Sequence, residues 1–258
     1  MKILVCVKQV PHVEGIAVKQ DIDGMATLEA LGAFRMNHFD EFAVEQAIHL
    51  KESMDEVHVD VITVGPEQAA HVLKRAIGMG GDEGIHLLTS TDADPAPELV
   101  AAWIAEFARS RGYDLILCGS MSEDSMCGQV GPMAAALLDL PYATQVIGMQ
   151  LTRDPTGVSI EREIEGGARE LVFISLPALL ALQPGINMPR YPSLSNLLRA
   201  NRQALEIIPT HTLEPSRAQV HCLGFQLPAH ERASQVITGS AVEKAAQMAE
   251  ILKAKALI

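Results

Sequence analysis

The chemistry this chain supports best is anion binding. It is carried by residues 114–142, DLILCGSMSEDSMCGQVGPMAAALLDLPY. The apolar run LILC reads as a buried strand that ends at Gly119. A loop with Glu123 and Asp124 follows, and Gly128, Gly131 and Pro132 then open an apolar helix. Proline suits the first position of a helix, where its missing N–H would have no partner. Glycines let a ligand approach the backbone closely, and a helix N-terminus with free N–H groups attracts anions. The stretch is therefore a candidate cradle for a nucleotide phosphate at the carboxyl end of a parallel strand. The competing reading is an ordinary strand-to-helix turn.

Bond-making chemistry has much less support. The nine histidines include no H-x-x-x-H or H-E-x-x-H, and His58 and His86 fall in strand patterns. There is no G-x-S-x-G elbow and no G-x-x-x-x-G-K-[ST] phosphate loop, which argues against a serine hydrolase and a Walker-type ATPase. The glycine-rich GMGGDEG, residues 78–84, follows a helical pattern and reads as a helix end and turn, not a dinucleotide fingerprint. The four cysteines (Cys6, Cys118, Cys127, Cys222) form no C-x-x-C, so a reduced chain without a structural zinc is expected. A nucleotide cradle with no nucleophile or metal motif implies binding rather than bond-making.

Composition sets further bounds. At 258 residues, 48% apolar and 20% charged, the chain is an ordinary globular one with room for a sizeable core. Aromatics are only 4%, so aliphatic and methionine packing must dominate. A net charge of −12 repels phosphate backbones and anionic membranes. No apolar run approaches the roughly 18 residues needed to span a bilayer. The opening MKILVCVKQVP starts directly on a strand pattern with no secretory signal, so a cytoplasmic location is expected.

The elements that must position the cradle alternate. Residues 2–10 read as a buried first strand, 14–26 as a polar excursion or hairpin, and 37–54 as an amphipathic helix capped by Asn37 or Asp40. Strand 56–65, helix 66–80, strand 83–89, helix 97–110, the strand at Leu115 and the helix at Pro132 complete the pattern. Such alternation predicts a doubly wound, mainly parallel α/β sheet. After Leu151 a β-meander is expected to return to the sheet, followed by a short helix within 187–203. From Pro209 to Thr238 the pattern is irregular, and 240–258 reads as a final helix with an apolar stripe from Val242 to Leu252. An arm of about 30 residues without regular structure is uncommon inside a compact domain, so it is expected to wrap another surface.

Five segments resemble the β subunit of electron-transfer flavoproteins, in order. They are MKILVCVKQVP, MNHFDEFAVEQAIHLKE, VITVGP, GSMSEDSMCGQVGPMAAALLDLPYATQV, and the run from REIEGG through LPALLALQPGINMPRYPSLSNLLRA. The resemblance covers about residues 1–208. It implies a Rossmann-like adenine-nucleotide-binding domain over 1–208 and a C-terminal arm and helix over 209–258 that contacts a partner subunit. It further implies a heterodimer with an α subunit carrying the redox FAD, and AMP or a second FAD in this chain. The dimer would pass electrons between a flavin dehydrogenase, such as acyl-CoA dehydrogenase, and downstream acceptors.

Carried over by residue, the resemblance puts Cys6 beside the adenine or ribose and Asn37, His38, Phe39 and Asp40 along the adenosine, with Val64 at the second strand's end. Asp124 would bond a ribose hydroxyl or order the loop. Ser125, Met126, Cys127, Gly128, Gln129, Val130, Gly131, Pro132, Met133, Ala134, Ala135 and Ala136 would wrap the phosphate. Glu163 would lie near the partner flavin, or else in a surface salt bridge. Arg190, Tyr191, Leu194 and Leu197 fall in the loop that docks the dehydrogenase. His38 stands where the family usually has proline, and GSMSED replaces GKQAID or GRQAID, removing a basic residue near the phosphate. QVGP leans to the electron-bifurcating type with a second FAD and NADH as donor, and FDEFAVE to the AMP type, so both ligands stay open with AMP favoured. An adenine-nucleotide regulatory module of universal-stress type would share the early sheet but not the run after residue 154.

Overall fold

The run KILVC carries no charge between Lys2 and Cys6 because neither face of that strand meets water. A computed structural model describes residues 1–12, 16–20, 25–30, 32, 34–90, 95–152, 156–213, 220, 223, 225–226 and 234–258. In it β1 (Lys2–Cys6) is followed by β2 (Gln9–Pro11), β3 (Ile16–Gln20), β4 (Met25–Ala30) and β5 (Phe34–Met36). Next come α1 (His38–Ser53), β6 (His58–Gly65), α2 (Ala70–Met79), β7 (Glu83–Leu88), α3 (Pro97–Ala108), β8 (Leu115–Gly119) and α4 (Val130–Leu137). The second half supplies β9 (Tyr142–Leu151), β10 (Gly157–Glu163), β11 (Arg169–Ser175), β12 (Ala178–Leu182), α5 (Leu194–Arg202), β13 (Glu206–Pro209), β14 (Phe225–Gln226) and α6 (Ala241–Ala254).

Nine strands form one sheet in the order β11-β10-β9-β12-β8-β1-β6-β7-β13. From β9 to β13 every pairing is parallel, and only β10 runs antiparallel to its neighbours. Alternate side chains of the central strands enter two cores, as a sheet covered on both faces requires. Ile3 and Val5 meet Val44 and Ala47 of α1 and Val72 and Ala76 of α2. Leu4 and Cys6 meet Ala101, Ile104 and Phe107 of α3 and Ala134 and Ala135 of α4. The expected doubly wound α/β sheet is what forms.

Local chemistry fixes the helix ends. Asp40 and Glu41 sit at the positive end of the α1 dipole and Lys51 at the negative end. Gly80 ends α2 at φ 141°, where a β-carbon would also press on Ile48. Pro97 begins α3, whereas Pro132 is the third residue of α4 and not the first, a position where its missing N–H is still one no helical carbonyl would accept. Asn37 occupies the cap position of α1 without its side chain capping.

Two strands of the nine-stranded sheet have no counterpart in the sequence reading. Tyr142–Leu151 is a full strand, and Glu206–Pro209 adds an outer parallel strand beside β7. The polar excursion does pair as β3 beside β4, its turn lying outside the described residues. Much of the irregular arm, including His221, Cys222 and His230, also lies outside them. By packing, the chain falls into two units, Met1–Val18 with Leu28–Leu223 and Lys19–Thr27 with Gly224–Ile258. In the second unit α6 starts with a reciprocal capping box between Ser240 and Glu243, and its Val242 and Met248 are exposed. Among the described residues no helix is long and apolar enough to cross a membrane.

Candidate functional site

The chain runs outward from β1 to β6 and β7, then returns to place β8 on the other side of β1. Where strand order reverses in this way, the loops at the carboxyl ends of the two middle strands part and leave a crevice. Here the crevice lies beyond Cys6 and Gly119, between the start of α1 and the loop 120–129 that leads into α4.

Buried polar groups at the start of α1 hold that loop. Asn37 is 1% exposed; its Nδ2 donates to the Met121 carbonyl (2.9 Å) and its Oδ1 accepts from the Glu123 N–H (3.1 Å). Asp40 is 5% exposed, and its two oxygens accept the Lys8 N–H at 2.7 Å and the Gly119 N–H at 2.9 Å. A single carboxylate thus ties the ends of β1 and β8 together. Burial pushes its pKa up to about 7, against the lowering effect of those two backbone bonds. Gly119 is required here, because a β-carbon would fall 2.5 Å from Asp40 Oδ1 and 2.6 Å from the Phe39 β-carbon.

The loop reciprocates. Glu123 takes the first N–H of α1, that of His38, at 3.2 Å and an Arg35 guanidinium N–H at 2.9 Å. It is the capping group that Asn37, committed elsewhere, does not supply. Sequence reasoning gave Glu123 no role; the only available signal was an acid in a loop that had to meet a helix N-terminus. Asp124 receives the Lys8 ammonium at 2.7 Å and the Ser125 N–H at 2.7 Å. Its burial favours the neutral acid, but Lys8 and the hydrogen bonds from Ser122 and Ser125 outweigh that and hold it below its ordinary pKa. Of its two expected roles, these contacts are those of a residue that orders the loop.

With the pins in place, the loop turns its backbone outward. Residues 124–129 are exposed, Met126 and Gly128 adopt left-handed φ of 51° and 60°, and α4 begins at Val130. The N–H groups of Gly128, Gln129, Val130 and Gly131 donate to no acceptor among the described residues. Four free amides at a helix start match the donor set that a phosphate needs. Lys8 and Arg35, the cations nearest this loop in the contacts above, are each paired with an acid of it.

The other residues expected at the cradle divide by depth. Ser125, Met126, Cys127, Gln129 and Ala136 are exposed, and His38 is exposed on the first turn of α1. Val130, Pro132, Met133, Phe39 and Val64 are half-buried. Cys6 ends β1, its thiol pushed up to about 12 by burial and the nearby Asp40, so it stays protonated. Gly131, Ala134 and Ala135 are buried. A β-carbon at Gly131 would lie 2.9 Å from Cys118 Sγ, and Ala134 and Ala135 belong to the core beneath. These three let α4 lie close on β8 and β12, and their side-chain positions face the core instead of the crevice.

Residues 26–212 match the electron transfer flavoprotein domain. The chain is 35% identical over 211 residues to the human electron transfer flavoprotein subunit beta, covering 81% of each chain. It is 31% identical over 228 residues to the same-named protein of Bacillus subtilis, covering 86% of this chain and 87% of the relative. Against that of Dictyostelium discoideum it is 32% identical over 259 residues, 100% and 99% of the two chains. The chain belongs to the electron transfer flavoprotein family.

In this electron transfer flavoprotein chain a second loop, between β12 and α5, is pinned by the same helix α1. Arg190 forks onto Glu45 at 3.0 Å and onto Glu52 at 2.5 and 2.9 Å, and its own N–H donates to Glu45. Glu45, 2% exposed, also has His49 Nε2 at 2.8 Å. Asn187 donates to the Phe42 carbonyl and to Gln46. The Arg190 side chain therefore holds the loop. Leu197 packs on α2 over Gly78, where a β-carbon would be 3.0 Å from its Cδ2. Met188, Tyr191 and Leu194 project outward, 86%, 88% and 74% exposed. Glu163, at the end of β10, accepts from the Gln183 amide and forms no ion pair among the described residues, since its cross-strand neighbour Arg169 pairs with Glu161.

Proposed function

We propose that this chain is the β subunit of a heterodimeric electron transfer flavoprotein and holds an adenine nucleotide at the end of β1 and β8. The observation that carries this reading is the set of free N–H groups at Gly128–Gly131 beside the point where strand order reverses. The phosphate rests on these amides, and Asn37, Asp40, Glu123 and Asp124 keep the loop in register for it. AMP is the favoured ligand. FAD is the second reading, supported by the QVGP stretch at 129–132, and in this site it would add a second redox centre of the bifurcating type.

The redox FAD belongs to the α subunit, and Glu163, exposed at the end of β10, is offered to that flavin. The apolar tip of Met188, Tyr191 and Leu194 docks a flavin dehydrogenase such as acyl-CoA dehydrogenase, as exposed aromatic and aliphatic anchors on a rigid loop do. Residues 209–258, with the exposed stripe of α6, wrap the α subunit, and the complex works in the cytoplasm.

The test is to purify the chain with its co-expressed α subunit, denature the complex and quantify released nucleotides. One FAD and one AMP per heterodimer is the expected result. Two FAD per heterodimer favours the bifurcating reading, and absence of a nucleotide assignable to this chain overturns the proposal.

A further inference from the structure

The opposite edge of the sheet, where the parallel strands begin, carries a cluster that nucleotide binding does not use. His58 and Asp60 are two residues apart on β6, so they share one face, and Glu83 on β7 is the register partner of Asp60. One donor atom from each of the three lies within 4.8 Å of the other two. Two carboxylates directly across a strand pair repel each other unless a cation or proton stands between them.

The carboxylate of Asp60 is oriented by one oxygen and faces His58 with the other. Oδ2 accepts from the Tyr113 hydroxyl at 2.7 Å and has Lys2 Nζ at 3.3 Å. Oδ1 is buried, takes part in no hydrogen bond and points at His58 Nε2, 2.9 Å away. The side chain as a whole is 4% exposed. On its far side the His58 ring turns Nδ1 to Asp82 Oδ2 at 3.7 Å, and Asp82 is itself held by the Val59 N–H and Lys51. A ring nitrogen backed by one carboxylate while the other nitrogen faces two more is the arrangement of a metal-binding histidine. Tetrahedral zinc, with bonds of about 2.0–2.2 Å, needs donors roughly 3.3 Å apart, within reach of small side-chain movements here.

We propose that His58 Nε2, Asp60 Oδ1 and Glu83 form a site for a borderline divalent cation, Zn²⁺ in the first instance. Imidazole with two carboxylates suits that class of ion. The nearby Lys2 ammonium weakens the site without blocking it, since it occupies only Oδ2. Tyr113 acts as a positioning residue.

The probe is Co²⁺, titrated into the whole 258-residue chain, free of any histidine tag and stripped with chelator, in whatever complex it purifies. One equivalent per chain should give visible d–d absorption that Zn²⁺ displaces, and Zn²⁺ should raise the melting temperature. His58→Ala and Glu83→Gln, both exposed positions, should abolish the signal and the melting shift, with nucleotide content unchanged. Tyr113→Phe should weaken binding about tenfold or more while keeping the core filled. No saturable Co²⁺ signal, or an equal signal in His58→Ala and Glu83→Gln, overturns the proposal without touching the nucleotide reading.

Discussion

The loop between β8 and α4 and the loop between β12 and α5 are both held by α1, yet they face outward with opposite chemistry. The first is tied by Asn37 and Asp40 at the start of the helix, which bond backbone groups of the loop and of the strand ends. What it leaves free is main-chain amide. The second is tied by Glu45 and Glu52 further along, which grip one guanidinium. What it leaves free is apolar side chain, at Met188, Tyr191 and Leu194. A rigid helix can therefore hold one loop that presents free amides and another that presents apolar side chains, and the pins determine which atoms are left over. In both loops the polar side chains drawn from the sequence as ligands or contacts, Asn37, Asp40, Asp124 and Arg190, hold the loop itself.

Asp40→Ala should have the largest effect. It removes the acceptor of the half-buried N–H groups of Lys8 and Gly119, at up to about 1–3 kcal/mol for each donor. Urea unfolding should register that loss, and the purified variant should lack nucleotide while the docking loop keeps its partner. Loss of partner binding in step with nucleotide would mean the two loops are not independent.

The pH dependence sharpens the same point. Burial lifts Asp40 from 3.8 to about 7, so between those values the folded chain keeps a proton that the unfolded chain has released. The contribution of Asp40 to stability is then greatest near the lower pH and falls as pH rises to about 7, by roughly 1–4 kcal/mol in all. Unfolding free energies of wild type minus Asp40→Asn, measured across that window, should decline with pH. A flat difference would mean that the carboxylate titrates normally.

At the other loop Arg190→Ala should have a smaller effect, about 1–3 kcal/mol by urea unfolding, because the guanidinium is partly exposed and His49 still faces Glu45. Arg190→Lys should recover only part of it, since an ammonium cannot fork. Leu194→Ala, 74% exposed, should change stability by no more than about 0.5 kcal/mol yet weaken dehydrogenase binding. Nucleotide content should stay at wild-type level in all three. Its loss in Leu194→Ala would erase the distinction between the loops.

The alternating half of the sheet was legible from residue 2 to 137 because apolar runs, prolines and glycines mark each strand and helix there. β9 was not, because its alternation is broken: Gln145 takes a left-handed φ of 57°, and the register shifts on both of its neighbours. β13 hid in four residues ending on a proline. The helix start with free amides could be located from Gly128, Gly131 and Pro132, but the work of each side chain could not. Asn37 and Asp40 bond groups 84 and 79 residues away, a distance over which periodicity and capping rules say nothing. Gly131 keeps a free N–H, but its lack of a side chain answers to the sulfur of Cys118 below it.

β12 lies between β9 and β8, although it is the last of these strands to be synthesised. Until residue 182 has left the ribosome, the meander of β9, β10 and β11 lacks its native neighbour, and β8 is left as a bare edge. The meander must wait as a separate ribbon with Val158, Ile160 and Ile174 unshielded, a species prone to stray pairing. Five residues, ALLAL, end that exposure by attaching the ribbon to the rest of the chain at a single stroke.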